Sequence, residues 1–548
     1  MRAGLLGFLA VWLLAAGARA EPEPWSDADP PAPPARYPLG DFGVQAGAEY
    51  RAQVLYVNPI ALNSLHDVHA GWIEHRLRLD GAADYRDKVR IVLSMDLLDG
   101  VVWGDNGTFG KDPAPNSGAN VTTRNPNTNR PCIGLRDPAA DPLDGDSYGF
   151  VDCAGNDVRI RKAYGEVVTP IGLLRVGRQP TTLGTGVVAA DGDGRPNRFG
   201  ISRTGNLVDR VLFATKPLEA LVPAERRDRS QQRGLFFVAG YDRLVTDTVR
   251  HDSDDVHQIV TSIRLLAPGY AKRRDLELGV FDGYRWDEKY GTQVDVFGWR
   301  AFTRVGDLYA GAEAVMNIGS TREVSEAYSL VNNDPVVDQS VQQWGGRAVV
   351  RYDRPRWSAY FEVDYASGDD NPEPRSALRQ FYFAEDANVG LLLFEHLLAF
   401  QSARAAAAGT ELLRRLGSKT FPADVVASRG AFTNAVALFP QFDFYPHESV
   451  LVRGGVLTAW APAKVVDPVA SLKRKDGRTI QDDLVNLNGG KPGSYYGTEV
   501  DGRIQWRYAD HFELDVEGAI FFPGDVFDDE NEQAVRSVLL QGRTTFFF

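Results

Sequence analysis

From Phe42 onward, apolar side chains recur at every second position. Leu308, Ala310, Ala312, Ala314, Met316 and Ile318 alternate with Tyr309, Gly311, Glu313 and Asn317. Trp357, Ala359, Phe361, Val363 and Tyr365 alternate with Ser358, Tyr360, Glu362 and Asp364, and Phe512, Leu514, Val516, Gly518, Ile520 and Phe522 with Glu513, Asp515 and Glu517. A period of two is that of a β-strand with one face against an apolar medium and the other against a polar one. Many of these runs reach roughly 10–15 residues, beyond the about 5–6 of a soluble strand and enough for the about 9–11 of a tilted membrane-crossing strand. Aromatic residues stand at the run ends, as interfacial girdles would place them: Trp344 and Tyr352, Trp357 and Tyr365, Trp506 and Tyr508.

The pattern predicts eighteen strands, near 43–57, 69–82, 87–99, 157–168, 171–179, 205–216, 233–246, 255–267, 274–286, 290–303, 307–319, 340–353, 356–367, 431–445, 449–462, 494–508, 511–522 and 534–548. An even count puts both chain ends on one side. Most connections on that side are tight, around 84–86, 169–171, 306, 354–355, 446–447 and 508–511, with 217–232 as a longer exception. The other side carries long loops at 100–156, 180–204, 320–339, 368–430 and 463–493. The expected fold class is therefore all-β, a transmembrane antiparallel β-barrel of about eighteen strands, with one helical insertion. That insertion is Asn388–Leu416, where apolar positions 391, 394, 398, 412, 413 and 416 are separated by Ala-rich filler. A plug in the lumen and a cap on the surface fit it equally.

The N-terminus reads as a secretory leader: Arg2, an apolar stretch Leu5–Ala16, and Ala18-Arg19-Ala20 as a cleavage site, assigning 1–20 to a signal peptide. Seven prolines between 22 and 38 make 21–41 a semi-extended periplasmic linker, leaving 42–548 for the barrel. No apolar run of 18 residues follows Ala20, so no spanning helix is expected. The 548 residues carry a formal charge of −13, which becomes −15 without Arg2 and Arg19. Such a balance argues against a nucleic-acid partner. Two cysteines exclude a disulfide scaffold and multi-Cys metal chemistry. Cys132 and Cys153 lie in one long loop and are expected to pair in an oxidising compartment, stabilising it by roughly 3 kcal/mol.

Charge on the polar faces is of both signs. It includes Glu49, Arg51, Glu74, Arg76, Arg78, Asp80, Arg90 and Asp96, then Arg347, Arg351, Glu362 and Asp364, and then Glu499, Asp501, Arg503 and Arg507. A lumen of that composition is wet, because unpaired charge in an apolar interior is costly. These residues serve either as the walls of a polar passage or as ion pairs holding the wall together. Residues 158–216 stand out, with ten basic against four acidic side chains in an otherwise acidic chain. Arg159, Arg161, Arg175 and Arg178 are accordingly the leading candidates for an anion path, joined by Arg347, Arg351, Arg503 and Arg507. The alternative for this basic stripe is contact with lipopolysaccharide at the outer rim. The phase is ambiguous, because Arg159 and Arg161 fall on the face opposite Lys162.

No cofactor or metal is expected. Asp191-Gly-Asp193-Gly breaks at Arg195 and lacks the carboxylate a calcium loop places last. His66 and His69 have no third ligand in view, and no G-x-S-x-G, H-E-x-x-H or P-loop occurs.

Gly177-Arg178-Gln179, the Gly184-x-Gly186 that follows, the segment NVGLLLFEHLLAF, the strand number and the closing Thr-Thr-Phe546-Phe547-Phe548 resemble the alginate-export-type barrels of bacterial outer membranes. They also resemble an uncharacterised group of myxobacterial outer-membrane proteins. The resemblance implies about eighteen strands and a basic channel for an anionic polysaccharide. It also implies that Phe546 and Phe548 form the signal read by the barrel-assembly machinery. It covers the barrel as architecture and transfers no substrate. The expected function is a porin-like outer-membrane channel, bathed in lipid and lipopolysaccharide, passing a hydrophilic anionic solute or polysaccharide. A loop-plugged structural or adhesive surface barrel is the alternative, and an outer-membrane hydrolase a third class that no motif supports.

Overall fold

The computed structural model describes residues 36–548 apart from 61, 63–68, 87, 105–107, 112–119, 123–156, 182–184, 192–196, 202–204, 229, 231, 247–255, 272–273, 289, 333–334, 372–374, 386, 403–427, 429, 466–492, 510 and 529–532. Cys132 and Cys153, residues 1–20 (expected to form a leader), and His66 with most of its loop lie outside the described residues.

Eighteen antiparallel strands form the wall. They are β1 (Phe42–Asn58), β2 (Ala70–Tyr85), β3 (Val89–Gly104), β4 (Asp157–Thr169), β5 (Gly172–Thr181) and β6 (Asn206–Thr215). β7 (Gly234–Thr246), β8 (His257–Ala271), β9 (Arg274–Trp286), β10 (Gln293–Val305), β11 (Leu308–Thr321) and β12 (Gln339–Arg354) follow. β13 (Trp357–Ala366), β14 (Ala435–His447), β15 (Val450–Trp460), β16 (Tyr495–Tyr508), β17 (Phe512–Pro523) and β18 (Ser537–Phe547) complete it. Each pairs with its successor, and β18 pairs with β1 from Glu49 opposite Phe547 to Asn58 opposite Val538, which closes the barrel. Closure leaves no sheet edge exposed, the condition for a sheet to cross lipid. Inside the Pro-rich stretch, Arg36–Leu39 forms a four-residue strand on Phe42–Gln45 and prolongs the wall just past the end of β18.

The alternation places polar faces inward and apolar faces outward. Trp344, Phe442 and Phe522 present about half their surface outward (52%, 50% and 49%), whereas Arg347, Asp443 and Glu517 behind them are buried. An apolar exterior around a charged interior is the inverse of a soluble sandwich. With the first wall strand starting and the last one ending at the short-turn side, this is a bacterial outer-membrane barrel. Short turns at 170–171, 306–307 and 355–356 close one end; Gly306 supplies the positive φ of 65° that its two-residue turn needs. The longer 216–233 connection at the same end is held by Lys216, whose Nζ donates to the carbonyls of Asp228 (2.9 Å) and Ser230 (3.0 Å).

Two local features depart from the sequence expectation. A helix, Glu323–Asn332, occupies the loop after β11, where none was expected. And β4 carries a bulge: Lys162 faces Ser94 while Ile160 faces Met95, leaving Arg161 as the extra residue. The bulge resolves the phase conflict, because one inserted residue lets Arg159 and Lys162 share the inner face.

The lumen is not empty. The described residues of 185–201, between β5 and β6, and of 376–402, between β13 and β14, fold back into the barrel. The first segment reaches past mid-depth, to Asp443 and Arg453 near the short-turn end, and the second stays in the outer half. The second contains a wide helical turn, Leu393–Leu398, in which the amides of His396 and Leu397 both donate to the Leu392 carbonyl. Of the helical insertion expected at 388–416, residues 403–416 lie outside the described part; the described part is inside the barrel, as a plug. Its Leu391, Leu392, Leu393, Phe394 and Leu397 are buried against Leu55, Trp72, Leu457, Tyr496 and Phe521 of the wall. Phe394 packs edge-on to Phe432 at 4.7 Å and to Tyr496 at 5.8 Å between centroids. Gly345 on β12 makes room for this core, since a Cβ there would meet the Phe381 ring at 2.2 Å.

Candidate lumen site

Wall carboxylates hold the inward segments by their backbone. Glu499 on β16, wholly buried, accepts the amides of Leu391 and Leu392 on Oε1 (2.7 and 2.8 Å) and of Leu393 on Oε2 (2.6 Å). The approach is close enough that Gly390, at φ 77°, has no space for a Cβ, which would lie 2.9 Å from Glu499 Oε1. Glu313 on β11 accepts the Thr185 amide (2.8 Å), and Glu517 on β17 the Gly200 amide (3.0 Å). Charge-assisted bonds to backbone amides are among the stronger ones, and here they meet donors that would otherwise be buried without a partner.

Arg198 of the first inward segment is the second fastening. Its Nη2 donates to both oxygens of Asp443 at 2.8 Å, its Nε to Gln441 at 2.6 Å, and its guanidinium lies 4.0 Å above the Tyr360 ring. Arg453 also donates to Asp443 (2.6 and 2.8 Å), and Arg453 and Arg503 both reach the Arg198 carbonyl, at 2.6 and 3.1 Å. Arg503 and Arg543 in turn share Asp515 at 2.7 and 3.0 Å. Arg347 pairs with Asp364 (2.7 Å) and Glu362 (3.2 Å) beneath the Phe383 ring of the second segment. From β11 round to β2, then, most inner-wall charge is tied up in pairing and in holding the segments; Asp501 on β16, buried, accepts no hydrogen bond among the described residues.

The opposite side, β5 to β10, is open. A cavity of about 450 Å³ lies there, bounded by Val188 and Ala189 of the first inward segment. Five arginines on five strands border it: Arg175, Arg210, Arg264, Arg285 and Arg300. Between them stand the carboxylates that orient them. Arg175 donates to Glu166 (2.7 Å), Arg210 to Asp242 (2.5 and 2.6 Å), and Arg264 to Glu277 (2.8 and 2.9 Å), which also pairs with Arg300. Arg285 is linked to the same network through Gln258, which donates to Asp242 at 2.6 Å. Five guanidinium groups share three carboxylates, so this wall carries an excess of positive charge. Each guanidinium has five N–H donors, more than one carboxylate can accept. The remaining lining is apolar, including Leu212, Phe236, Val260, Phe281 and Val296.

Of the arginines singled out in the sequence, only Arg175 borders the cavity. Arg178 is a correction. It follows the outward-facing Leu174 and Val176 at the next even position, and pairs with Asp209 at 2.9 and 3.0 Å on the outer surface. The even positions of β5 face outward, so Arg175 and Arg178 were bound to part. Arg161 is buried, 3.8 Å from Asp96, and donates to the Asp191 carbonyl; Arg159 stands opposite Asp96 on the neighbouring strand. Arg347 and Arg503 belong to the fastening network. Arg351 and Arg507 lie toward the short-turn end, with Asp353 (2.6 Å) and Glu513 (2.8 Å). Phe546 packs outward between Tyr50 and Phe512, and Phe548 is exposed beyond it, its amide bonded to the Ala48 carbonyl. Arg210, Arg264, Arg285 and Arg300 were not singled out as pore residues. Their signal was present: one arginine on the inward phase of each of β6, β8, β9 and β10, which the registers set at two depths, Arg210 level with Arg285 and Arg264 level with Arg300.

No family model matches the chain, and no curated protein matches it. Solved structures of similar shape include OccAB1 of Acinetobacter baumannii, at 8% identity over 92% of this chain and 96% of that one, with a TM-score of 0.49. They also include Pseudomonas aeruginosa OpdK with vanillate, at 9% identity over 92% and 98%, with a TM-score of 0.47. The outer membrane channel DcaP of Acinetobacter baumannii is similar at 10% identity over 92% and 97%, with a TM-score of 0.38. Likeness at this level says nothing about what this chain carries.

Proposed function

We propose that this protein is an outer-membrane channel passing small hydrophilic anions along the β5–β10 side of its lumen. The observation that carries the reading is the cavity of about 450 Å³ bordered by five arginines, on β5, β6, β8, β9 and β10. A wall of guanidinium groups at more than one depth attracts anions at close quarters and disfavours cations. The two inward segments leave a cavity on one side, and a passage of that width suits a small solute over a bulky polymer. No step is catalysed: attraction, partial replacement of water by guanidinium donors, and release are enough, provided binding stays weak enough for exit.

The test is single-channel recording of the refolded full barrel in a planar bilayer under a salt gradient. Steady conductance with an anion-selective reversal potential is expected. Cation preference would remove the anionic claim and keep the pore. The burial of 376–402 in the outer half of the barrel favours a second reading, a loop-plugged surface barrel, and a folded but silent protein would select it.

A further inference from the structure

The outer face above this same half of the barrel departs from the rest of the wall. Elsewhere, the outward residues near the loop end of the strands include Trp344 on β12, Tyr365 on β13, Trp460 on β15 and Phe522 on β17, with Gln293 and Asp295 on β10 and Ser340 and Gln342 on β12 as polar members. On β5 to β9 the registers align Arg178, Asp209, Arg243, His257 and Trp286 in one continuous row across five strands. The row lies at the loop end: Trp286 closes β9 and His257 opens β8. Asp209 holds Arg178 through both carboxylate oxygens and stands directly opposite Arg243, which is exposed. Beside the arginines the rings form a platform. Tyr241 stacks on His257 (6.0 Å, 20°) and His257 on Trp286 (5.6 Å, 22°), while Tyr284 stacks on Trp286 (5.6 Å, 25°). Tyr241 Oη lies 2.8 Å from His257 Nδ1, which fixes the pair.

An aromatic girdle alone calls for no arginine on the lipid face, where cationic side chains are disfavoured except near the interface. Arg178, held by Asp209, and Arg243, on the neighbouring strand directly across from Asp209, present planar N–H donors to an anion at headgroup depth, and such donors match phosphate oxygens two at a time. The adjoining ring faces suit the apolar face of a sugar. We infer that this row is a docking site for the phosphorylated sugar headgroup of an outer-leaflet glycolipid, with Arg178 and Arg243 taking the phosphate and the Tyr241–His257–Trp286 platform the sugar. The site lies on the other surface of the wall from the cavity and is independent of what the channel passes.

The test is native mass spectrometry of the full-length barrel in detergent, titrated with lipid A and separately with phosphatidylglycerol. Lipid A is expected to bind in preference. R178Q/R243Q should weaken it about tenfold, the loss of a bidentate charge-assisted contact, and leave phosphatidylglycerol unchanged. W286A should weaken lipid A by less. Heat-modifiable migration on a gel checks that each variant is folded; should the double variant fail this check, R243Q alone, at an exposed position, carries the test. Equal retention of the two lipids, or lipid A binding untouched by the arginine substitutions, would overturn the proposal. So would displacement of lipid A by an equal concentration of inorganic phosphate, which would leave a plain anion site.

Discussion

The two halves of the lumen are built from the same alternating strands, yet one is filled and the other open. On the β11–β2 side, Glu313, Glu499 and Glu517 meet backbone amides of segments 185–201 and 376–402, and Asp443 meets Arg198. On the β5–β10 side, the long residues facing inward are arginines already oriented by their own wall carboxylates, and Gly279, Gly283 and Gly298 occupy inward positions between them. A Cβ on Gly298 would meet the Phe281 ring at 2.1 Å, so the ring lies flat over the glycine and leaves the space above it open. What differs is whether the inward charge is already taken up within the wall. On the filled side, carboxylates take backbone amides of the segments and Arg453 and Arg503 take the Arg198 carbonyl, whereas on the open side the arginines are bonded to carboxylates and a glutamine of their own wall.

That comparison can be broken at its fastenings. Asp443→Ala leaves Arg198 and Arg453 buried without their shared carboxylate, and removing one partner of a buried pair costs about 3–5 kcal/mol. A marked fall in the temperature of heat-modifiable migration is expected, and an unchanged transition would remove the network from the stabilising side. Glu499→Ala strands three buried amides, each worth about 1–3 kcal/mol if left unmade. Segment 376–402 is then expected to leave the lumen, seen as a several-fold rise in single-channel conductance with the barrel intact. A conductance equal to wild type would mean that apolar packing around Phe394 holds the segment alone.

The open half gives smaller, more specific effects. Arg264→Ala with Arg300→Ala removes two of the five guanidinium groups bordering the cavity and leaves Glu277 unbalanced. The reversal potential under a salt gradient should move toward cations while conductance changes little. Gly298→Val should push Phe281 into the cavity and lower conductance with selectivity kept. Arg178→Gln, on the outer surface, should leave both conductance and selectivity at wild-type values; a shift in selectivity would contradict its outward placement.

The sequence by itself determined the barrel. Period-two alternation is a local property, set by the pleat of each strand, so eighteen strands, their order and the sorting of turns from loops were readable without the fold. It also separated inward from outward faces wherever the alternation ran unbroken, as from Leu308 to Ile318. Phase was lost at β4, where a bulge inserts Arg161; a bulge depends on the partner strand and leaves no mark in periodicity. The helix Glu323–Asn332 was hidden for a different reason: its ten residues are fewer than the window over which a helical period shows. Whether the Leu-rich segment near 391 plugs or caps was decided by tertiary structure alone, because it turns on Glu499, which lies about a hundred residues away in sequence and adjacent in space. The same holds for the arginines. Composition marked 158–216 as basic, but which guanidinium groups share a cavity depends on register across strands, and register brought Arg175 together with Arg210, Arg264, Arg285 and Arg300 while turning Arg178 to the lipid. Alternation is written in each strand; a site is written in the alignment between strands, which only the closed barrel determines.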